Sequence, residues 1–530
     1  MKVPCIRCVP FLMLLCCSLV TAQIAVTTYQ YDTSRSGTNT HETILTPSNV
    51  NVSQFGRLNQ FLVTGYVYAQ PLYVPNLNIN GTSHNVLFAA TEHDQVYAID
   101  VDLGRLIWHA NFLASGVGPL NVVSTVSGAD VNCSDLTPEI GITGTPVINL
   151  ATNILYVVAE TKETNPHTHG TKFYHRLHAL DIRTGLDVIP PRTIVALTRG
   201  NGVGSIGGTI AFNPLLANQR SSLLLADGQV FVSWASHCDK GGYHGWLMSF
   251  NQTTLASTGI YADTPNGEEG GFWGSGAGPA ADANGVIYTA TGNGDFSANV
   301  GGVDYGDTVL RLNWSLSGIS VADYFTPWDQ QSLNDNDTDV ASGGVLLLPD
   351  QSGPIPHLLL QVGKEGTIDL INRDNMGHFD QGSDGQIVQT LPFAIGGVWG
   401  GLAFWNNYAY FGGASDHLKA YSFNPSTEQL SSSPTSASPE TFTYPGPTPV
   451  VSSNATSNGI VWVIQSDYSS QNAVLHAFSA TDLGTELYSS DQDLNRDQAP
   501  LAVKFTVPTV ANGRVFVGGQ NLVDMYGLLQ

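Results

Sequence analysis

Positive charge is scarce in this chain. It has 20 Lys and Arg against 43 Asp and Glu, a formal net charge of −23. Nucleic acid and anionic membrane surfaces are held by basic patches, so neither is an expected partner. Cysteine is nearly absent after the start: Cys5, Cys8, Cys16 and Cys17 crowd the first 17 residues, leaving Cys133 and Cys238. No long amphipathic helical pattern occurs, and past Val20 no apolar run is long enough to span a bilayer. There is no Cys-x-x-Cys-His, so no covalently attached c-type haem is expected. His93, His167, His169, His237 and His244 are scattered. Without a His-x-His strand or a His-Glu-x-x-His helix they do not indicate zinc.

The first residues read as a secretory leader. Lys2 and Arg7 precede an apolar run over residues 9–20, and Val20-Thr21-Ala22 is a small-residue cleavage site. The expected organisation is a signal peptide over 1–22 and one domain over 23–530, secreted and extracellular. Loss of the leader leaves 18 basic and 43 acidic residues, a net charge of −25. Two thiols in an oxidising compartment tend to pair, which predicts a Cys133–Cys238 disulfide, with two free buried thiols as the alternative. Asn-x-Ser/Thr sequons stand at Asn51, Asn80, Asn132, Asn251, Asn313, Asn336 and Asn454 and read as surface positions open to glycosylation.

Length alone suggests about three domains, but internal repeats overrule it. An apolar strand ending in an Asx/Gly turn recurs as VYAIDVDLG (96–104), LHALDIRTG (177–185), LMSFNQTT (247–254), VLRLNWSLSG (309–318), IDLINRDNMG (368–377), LKAYSFNPS (418–426) and LHAFSATDLG (476–484). VDMYGLLQ closes the chain without its turn. Each copy follows another strand, such as VLFAATE or VIYTATG. These are eight units of about 63 residues, somewhat longer than minimal propeller blades of about 40–50. The last unit lacks a fourth strand, while residues 55–63 form a strand with no unit of its own. Giving the first strand to the last blade removes two exposed edges. The prediction is an all-β, single eight-bladed β-propeller of four-stranded blades, closed by residues 55–63, with seven blades as the alternative. Residues 431–439, rich in Ser and Pro, read as a surface loop.

In a four-stranded blade, the second-to-third strand loops and the blade-to-blade connections share one face. Here those segments are long and polar (161–175, 237–244, 292–307, 328–342 and 466–472), whereas turns such as ADANG and DIRTG on the other face are tight. Function belongs on the face with long loops on a rigid scaffold. Cys133 and Cys238 both fall there. So does the hairpin over residues 267–296, GEEGGFWGSGAGPAADANGVIYTATGNGDF, which carries Trp273 and Asn293 to the same end.

The repeat, with Asp and Thr-Gly or Leu-Gly after the third strand and Trp108 in the fourth, resembles the quinoprotein (pyrroloquinoline quinone, PQQ) alcohol dehydrogenase-like propellers over nearly all of the mature chain. The resemblance implies PQQ and calcium as cofactors. Trp273 in GGFWGSG is similar to the tryptophan under the flat quinone, and Asn293 in YTATGNG to the amide ligand of calcium. Asp339, last acid of NDNDTD, falls where the family keeps its catalytic carboxylate. Lys364 in VGKEGTIDLINRD falls where it keeps a cation near the quinone oxygens. The chain also departs from the family. The adjacent cysteine pair has no counterpart, the first-blade carboxylate is replaced around Tyr68, and only Asp239 stands near the place of the calcium-ligand glutamate.

Two functions follow. One is a PQQ- and calcium-dependent oxidoreductase acting on a small alcohol or sugar. There Trp273 and Lys364 face the quinone, Asn293, Asp339 and Asp239 face calcium, and Asp339 and Lys364 carry catalysis. The other is a non-catalytic extracellular binding or matrix propeller that has lost the cofactor site. No well-spaced carboxylate pair argues for a glycosidase.

Overall fold

The middle strands of each repeat are apolar on both faces, which an isolated sheet cannot satisfy. QVYAID (Gln95–Asp100) and QVFVSWAS (Gln229–Ser236) are buried at every position. Only sheets stacked face to face bury such strands, and in the computed structural model the chain does this eight times around a central axis. The structure describes residues 23–114, 121–466 and 471–530. The leader expected over residues 1–22 lies outside them.

Blade 1 comprises Leu72–Ile79, Thr82–Thr91, Gln95–Asp100 and Arg105–Asn111, from the axis outward. Six more four-stranded antiparallel blades follow over residues 147–193, 224–262, 280–325, 345–391, 403–442 and 450–489. Blade 8 takes Thr509–Ala511, Arg514–Gly518 and Gln520–Leu528 from the C-terminus and Phe55–Tyr66 from the N-terminus as its outer strand. The closure expected from the unpaired first strand is therefore present. That outer strand alternates buried and exposed residues, because one of its faces meets solvent. Neighbouring blades are locked by shared clusters, such as Val147, Tyr156, Val230 and Trp234 between blades 2 and 3. Trp108 of blade 1 also donates its indole N–H to the Ile182 carbonyl of blade 2 at 3.0 Å.

Two sequence readings need correction. Residues 431–439 are not all loop: Ser436–Phe442 is the outer strand of blade 6, paired with Asp416–Asn424. Pro439 is tolerated there because an outermost strand has one unpaired edge. Most of residues 161–175 continue the blade 2 hairpin, Ile154–Thr164 with Thr171–Asp181, leaving a tip at 165–170.

One segment had no signal in the repeats. The innermost strands leave their axial backbone groups unpaired, and buried groups of that kind need partners. Residues 26–42 supply them while winding around the channel. Val26 exchanges backbone bonds with Tyr73 of blade 1 at 2.8 and 2.9 Å. The carbonyls of Thr27, Thr33, Ser34, Ser36 and Gly37 accept from Ile148, Ala281, Leu347, Phe404 and Val451, in blades 2, 4, 5, 6 and 7, at 2.8–2.9 Å. Blade 3 is reached by Arg35, whose Nη2 donates to the Leu223 carbonyl at 3.1 Å. Blade 8 is reached by Asn39, whose Nδ2 donates to the Val510 carbonyl at 3.0 Å. This segment bonds to a residue in or next to the inner strand of every blade and so occupies the channel.

Candidate functional site

Above the filled channel, blade-to-blade connections and second-to-third strand loops enclose an axial cavity of about 160 Å³. The buried Trp273 forms part of its wall, with its indole N–H toward the Gly270 carbonyl at 3.3 Å. The ring is held edge-on by Tyr243, centroids 6.3 Å apart. The Arg220 guanidinium carbon lies 5.8 Å from the Trp273 ring centroid and 4.5 Å from that of Phe505.

Asp339 is buried at the edge of this cavity, just before a 3-10 turn over Val340–Ser342. Its Oδ1 accepts the backbone N–H of Asn293 at 2.9 Å, and its Oδ2 meets Lys364 Nζ at 2.5 Å. Lys364 also reaches Asp337 Oδ1 at 2.7 Å. Burial works against the Lys364 charge, but the Asp339 and Asp337 carboxylates outweigh it and hold the ammonium above the usual lysine range. Asn293 Nδ2 donates to Asp337 Oδ1 at 3.0 Å, while its buried Oδ1 has no partner among the described residues. The contact between these elements requires Gly292. A Cβ there would stand 2.1 Å from Asp339 Oδ1 and 2.6 Å from Trp273 Cδ1.

Trp273, Asn293, Asp339 and Lys364, singled out from sequence, thus converge. Asp239 joins them only in part. It is turned to Tyr243, whose hydroxyl donates to its Oδ1 at 2.5 Å. Burial raises the Asp239 pKa; the Tyr243 bond opposes this, and the nearby Asp339 and Asp337 charges add to it. Asp335, farther out in the same acidic run, is exposed. The disulfide predicted from compartment is present: Cys133 and Cys238 are bonded with Cα atoms 5.7 Å apart, and Cys238 lines the axial cavity. Tyr68 is buried beside the Cys133 loop and exchanges bonds with Thr137 at 3.3 Å. None of the seven sequon asparagines is buried.

Sequence reasoning missed the cavity's other charges. Asp135 pairs with Lys504 and, at 3.3 Å, with Arg220. Burial pushes the Asp135 carboxyl up, but the two cations outweigh it and leave it below the usual range. Arg220 keeps Nε and Nη2 buried with no hydrogen-bond partner among the described residues. These three residues come from three different blade connections, so no local spacing could have joined them. Asp307 was also missed. It is fully buried, with Oδ2 unpartnered, and burial followed by the Asp339 charge pushes its pKa well up.

The residues present suit a flat anionic ring: an indole wall beside Arg220 and Lys364, with Lys504 one layer behind, on Asp135. The fit to a cation is narrower. Among the described residues, no three His, Cys, Asp or Glu side chains stand close enough to hold a metal by themselves. The orphaned Asn293 Oδ1 and the Asp339 carboxylate are hard oxygen donors of the kind calcium takes. An ion there would need further oxygens from a bound ligand or water.

No protein-family model and no curated protein sequence matches the chain. Solved structures do. The quinohemoprotein alcohol dehydrogenase of Comamonas testosteroni superposes with a TM-score of 0.61 at 14% identity, covering 95% of this chain and 80% of that one. Quinohemoprotein alcohol dehydrogenase ADHIIG of Pseudomonas putida HK5 gives 0.59 at 12% identity, covering 95% and 80%. A europium-containing methanol dehydrogenase gives 0.59 at 11% identity, covering 95% and 98%. Eight blades, their closure and these superpositions agree: the chain has the fold of the quinoprotein alcohol dehydrogenase propellers.

Proposed function

We propose that this protein is a secreted quinoprotein-like oxidoreductase whose axial cavity seats a flat anionic quinone of the PQQ type and acts on a small alcohol or sugar. The observation that carries this reading is the Asp339–Lys364 pair at the axial cavity, its carboxylate buried and its ammonium partly exposed, set against the Trp273 indole. Arg220 would receive the ring's carboxylates, with Lys504 adding positive charge from behind Asp135, and Trp273 would receive its face. Asn293 and Asp339, with Asp239 behind them, would hold calcium. When bound, the quinone would supply the two-electron acceptor that no side chain here provides, and calcium a Lewis acid beside it. The chain's own part is proton management. Asp339 Oδ2, paired with Lys364 at 2.5 Å, is positioned to accept a substrate hydroxyl proton once the ammonium shifts its bond to Asp337. Extracellular location rests on the leader and on the disulfide.

The test is loading purified protein with PQQ and calcium, then following absorbance, melting temperature and dye reduction across alcohols and sugars. Asp339→Asn is expected to lower dye reduction by about 10²–10⁴-fold, while Asp335→Asn leaves it near wild type. If loading neither raises the melting temperature nor permits dye reduction by the wild type, the oxidoreductase reading fails. If Asp339→Asn matches wild type, the base is misassigned.

A further inference from the structure

Beside the axial cavity, a second one of about 300 Å³ opens on the same face between blades 4 and 5, and its lining holds no Lys, Arg or His. Asp329, Glu365, Asp369 and Asp384 converge on it. Asp369 is 4% exposed, and its Oδ1 has no hydrogen-bond partner among the described residues. Asp384 Oδ1 accepts the Trp328 backbone N–H at 2.9 Å, and Glu365 Oε2 accepts from Thr367 Oγ1 at 2.5 Å. Two aromatic rings stand at the rim, Trp328 at 50% and Phe393 at 73% exposure. Phe393 is held there with φ of 51°, a conformation that bulky residues rarely adopt.

We propose that this side cavity is a binding site for an organic ammonium ion, a primary amine or quaternary ammonium, held by the four carboxylates and by the Trp328 and Phe393 rings. An ammonium supplies the counter-charge missing from the lining, and its carbon substituents match the aromatic rim, where cation–π attraction adds to burial. A bare metal ion would have no use for the rings, and among the described residues no three carboxylates are close enough to chelate one. A neutral sugar would use the rings but leave the acids facing one another. Burial first, and then the Asp384, Glu365 and Asp329 charges, push Asp369 well above its usual range, and burial with smaller contributions from neighbouring acids raises Asp384 to about 6. The site differs from the axial cavity, and its occupancy does not depend on the quinone reading. Asp339 lies in the wall of both.

Calorimetric titration of the whole mature protein, without added PQQ, tests this using choline against its neutral isostere 3,3-dimethylbutan-1-ol. Choline is expected to bind at least 10-fold tighter than the isostere. Trp328→Ala, at an exposed rim position, and Asp384→Asn are each expected to weaken choline by 10-fold or more. Circular dichroism and the melting temperature of each variant confirm that it is folded. Equal affinity for the isostere, no choline binding up to 10 mM, or folded variants that bind choline as wild type does would overturn the proposal. So would displacement of choline by glucose, which would make the site a carbohydrate site. Calcium competing for the cavity with Trp328→Ala indifferent would overturn it in favour of a metal.

Discussion

Arg35 is one of 20 basic residues in the chain, and it is spent inside the channel, 2% exposed. Its Nε donates to the Pro279 carbonyl at 3.0 Å and its Nη2 to Leu223 at 3.1 Å, tying blade 4 to blade 3. Its Nη1 reaches Thr28 Oγ1 at 2.8 Å and the Tyr29 carbonyl at 3.0 Å, fixing the segment's own curl. Arg35→Ala strands three buried carbonyls, at about 1–3 kcal/mol each. Against this stands the penalty for burying the charge, which pulls the guanidinium pKa down to about 10 despite the neighbouring Asp32 carboxylate. The three carbonyls sum to about 3–9 kcal/mol, and relief of the charge-burial penalty brings the net loss to the bottom of that sum or just below it, about 2–4 kcal/mol. A chain of roughly 500 residues unfolds near 60 °C with an entropy of about 1 kcal/mol/K, so the expected fall in melting temperature is about 2–4 °C. Scanning calorimetry at one fixed scan rate measures it, and hydrogen exchange over residues 26–42 locates it. Arg35→Lys, which keeps charge but loses the planar fork, should fall between. A melting temperature that is unchanged or raised in Arg35→Ala, with exchange over 26–42 as slow as in wild type, would refute the idea that this side chain ties the blades together.

The remaining expectations concern pH, the disulfide and the leader. Burial pushes Glu92 up to about 8, Asp263 to about 7 and Asp524 to about 6, so the folded chain holds more protons than the unfolded one. Stability then falls as pH rises from the ordinary carboxylate range to about 8, and a melting temperature higher at pH 8 than at pH 5 would contradict this. Replacing Cys133 and Cys238 by Ser opens a loop of 105 residues. This should cost up to about 4–5 kcal/mol, seen as a drop of several degrees in melting temperature; no change would show that the bridge constrains little. N-terminal sequencing of secreted protein should begin at Gln23, and finding Met1 would remove the leader.

What the sequence made legible was whatever depends on periodicity. Each blade repeats the same strand and turn, so blade number and closure by residues 55–63 followed from counting turns and asking which strand lacked a neighbour. Trp273 and Asn293 were legible because one hairpin carries both to the same end, and Asp339 and Lys364 through the resemblance of their surrounding motifs to the quinoprotein family. The N-terminal segment was not. TTYQYDTSRSGTNT has neither strand nor helix period, and its bonds to the blades are mostly backbone bonds that almost any residue can make. The only mark it left was a lone arginine among Ser, Thr and Tyr. Asp135, Arg220 and Lys504 were illegible for another reason: Arg220 and Lys504 lie 85 and 369 residues from the Asp135 they share. Only ring closure brings them together.

Filling the channel with residues 26–42 restricts chemistry to one end of the ring, and charge is not spread evenly there. A chain with 43 acids and 20 bases places Arg220 and Lys364 in the wall of one small axial cavity, with Lys504 behind Asp135 of that wall, and no base at all in the lining of the cavity beside it. Burying cations is costly, and burial does pull Lys504 below the usual lysine range against the pull of Asp135. Asp135 cannot satisfy both of its partners, because Arg220 still carries two buried N–H-bearing nitrogens with no acceptor among the described residues. A fold that retained these cations only for rigidity would do better with apolar side chains of similar volume. Their presence beside an indole face would be accounted for by an anion that completes them, and a flat ring bearing carboxylates would meet the indole and the guanidinium at once. In the neighbouring cavity the deficit has the opposite sign, so the same reasoning asks there for a cation. The two proposed ligands, of opposite charge and on either side of the wall that contains Asp339, would together offset this uneven distribution of a scarce positive charge.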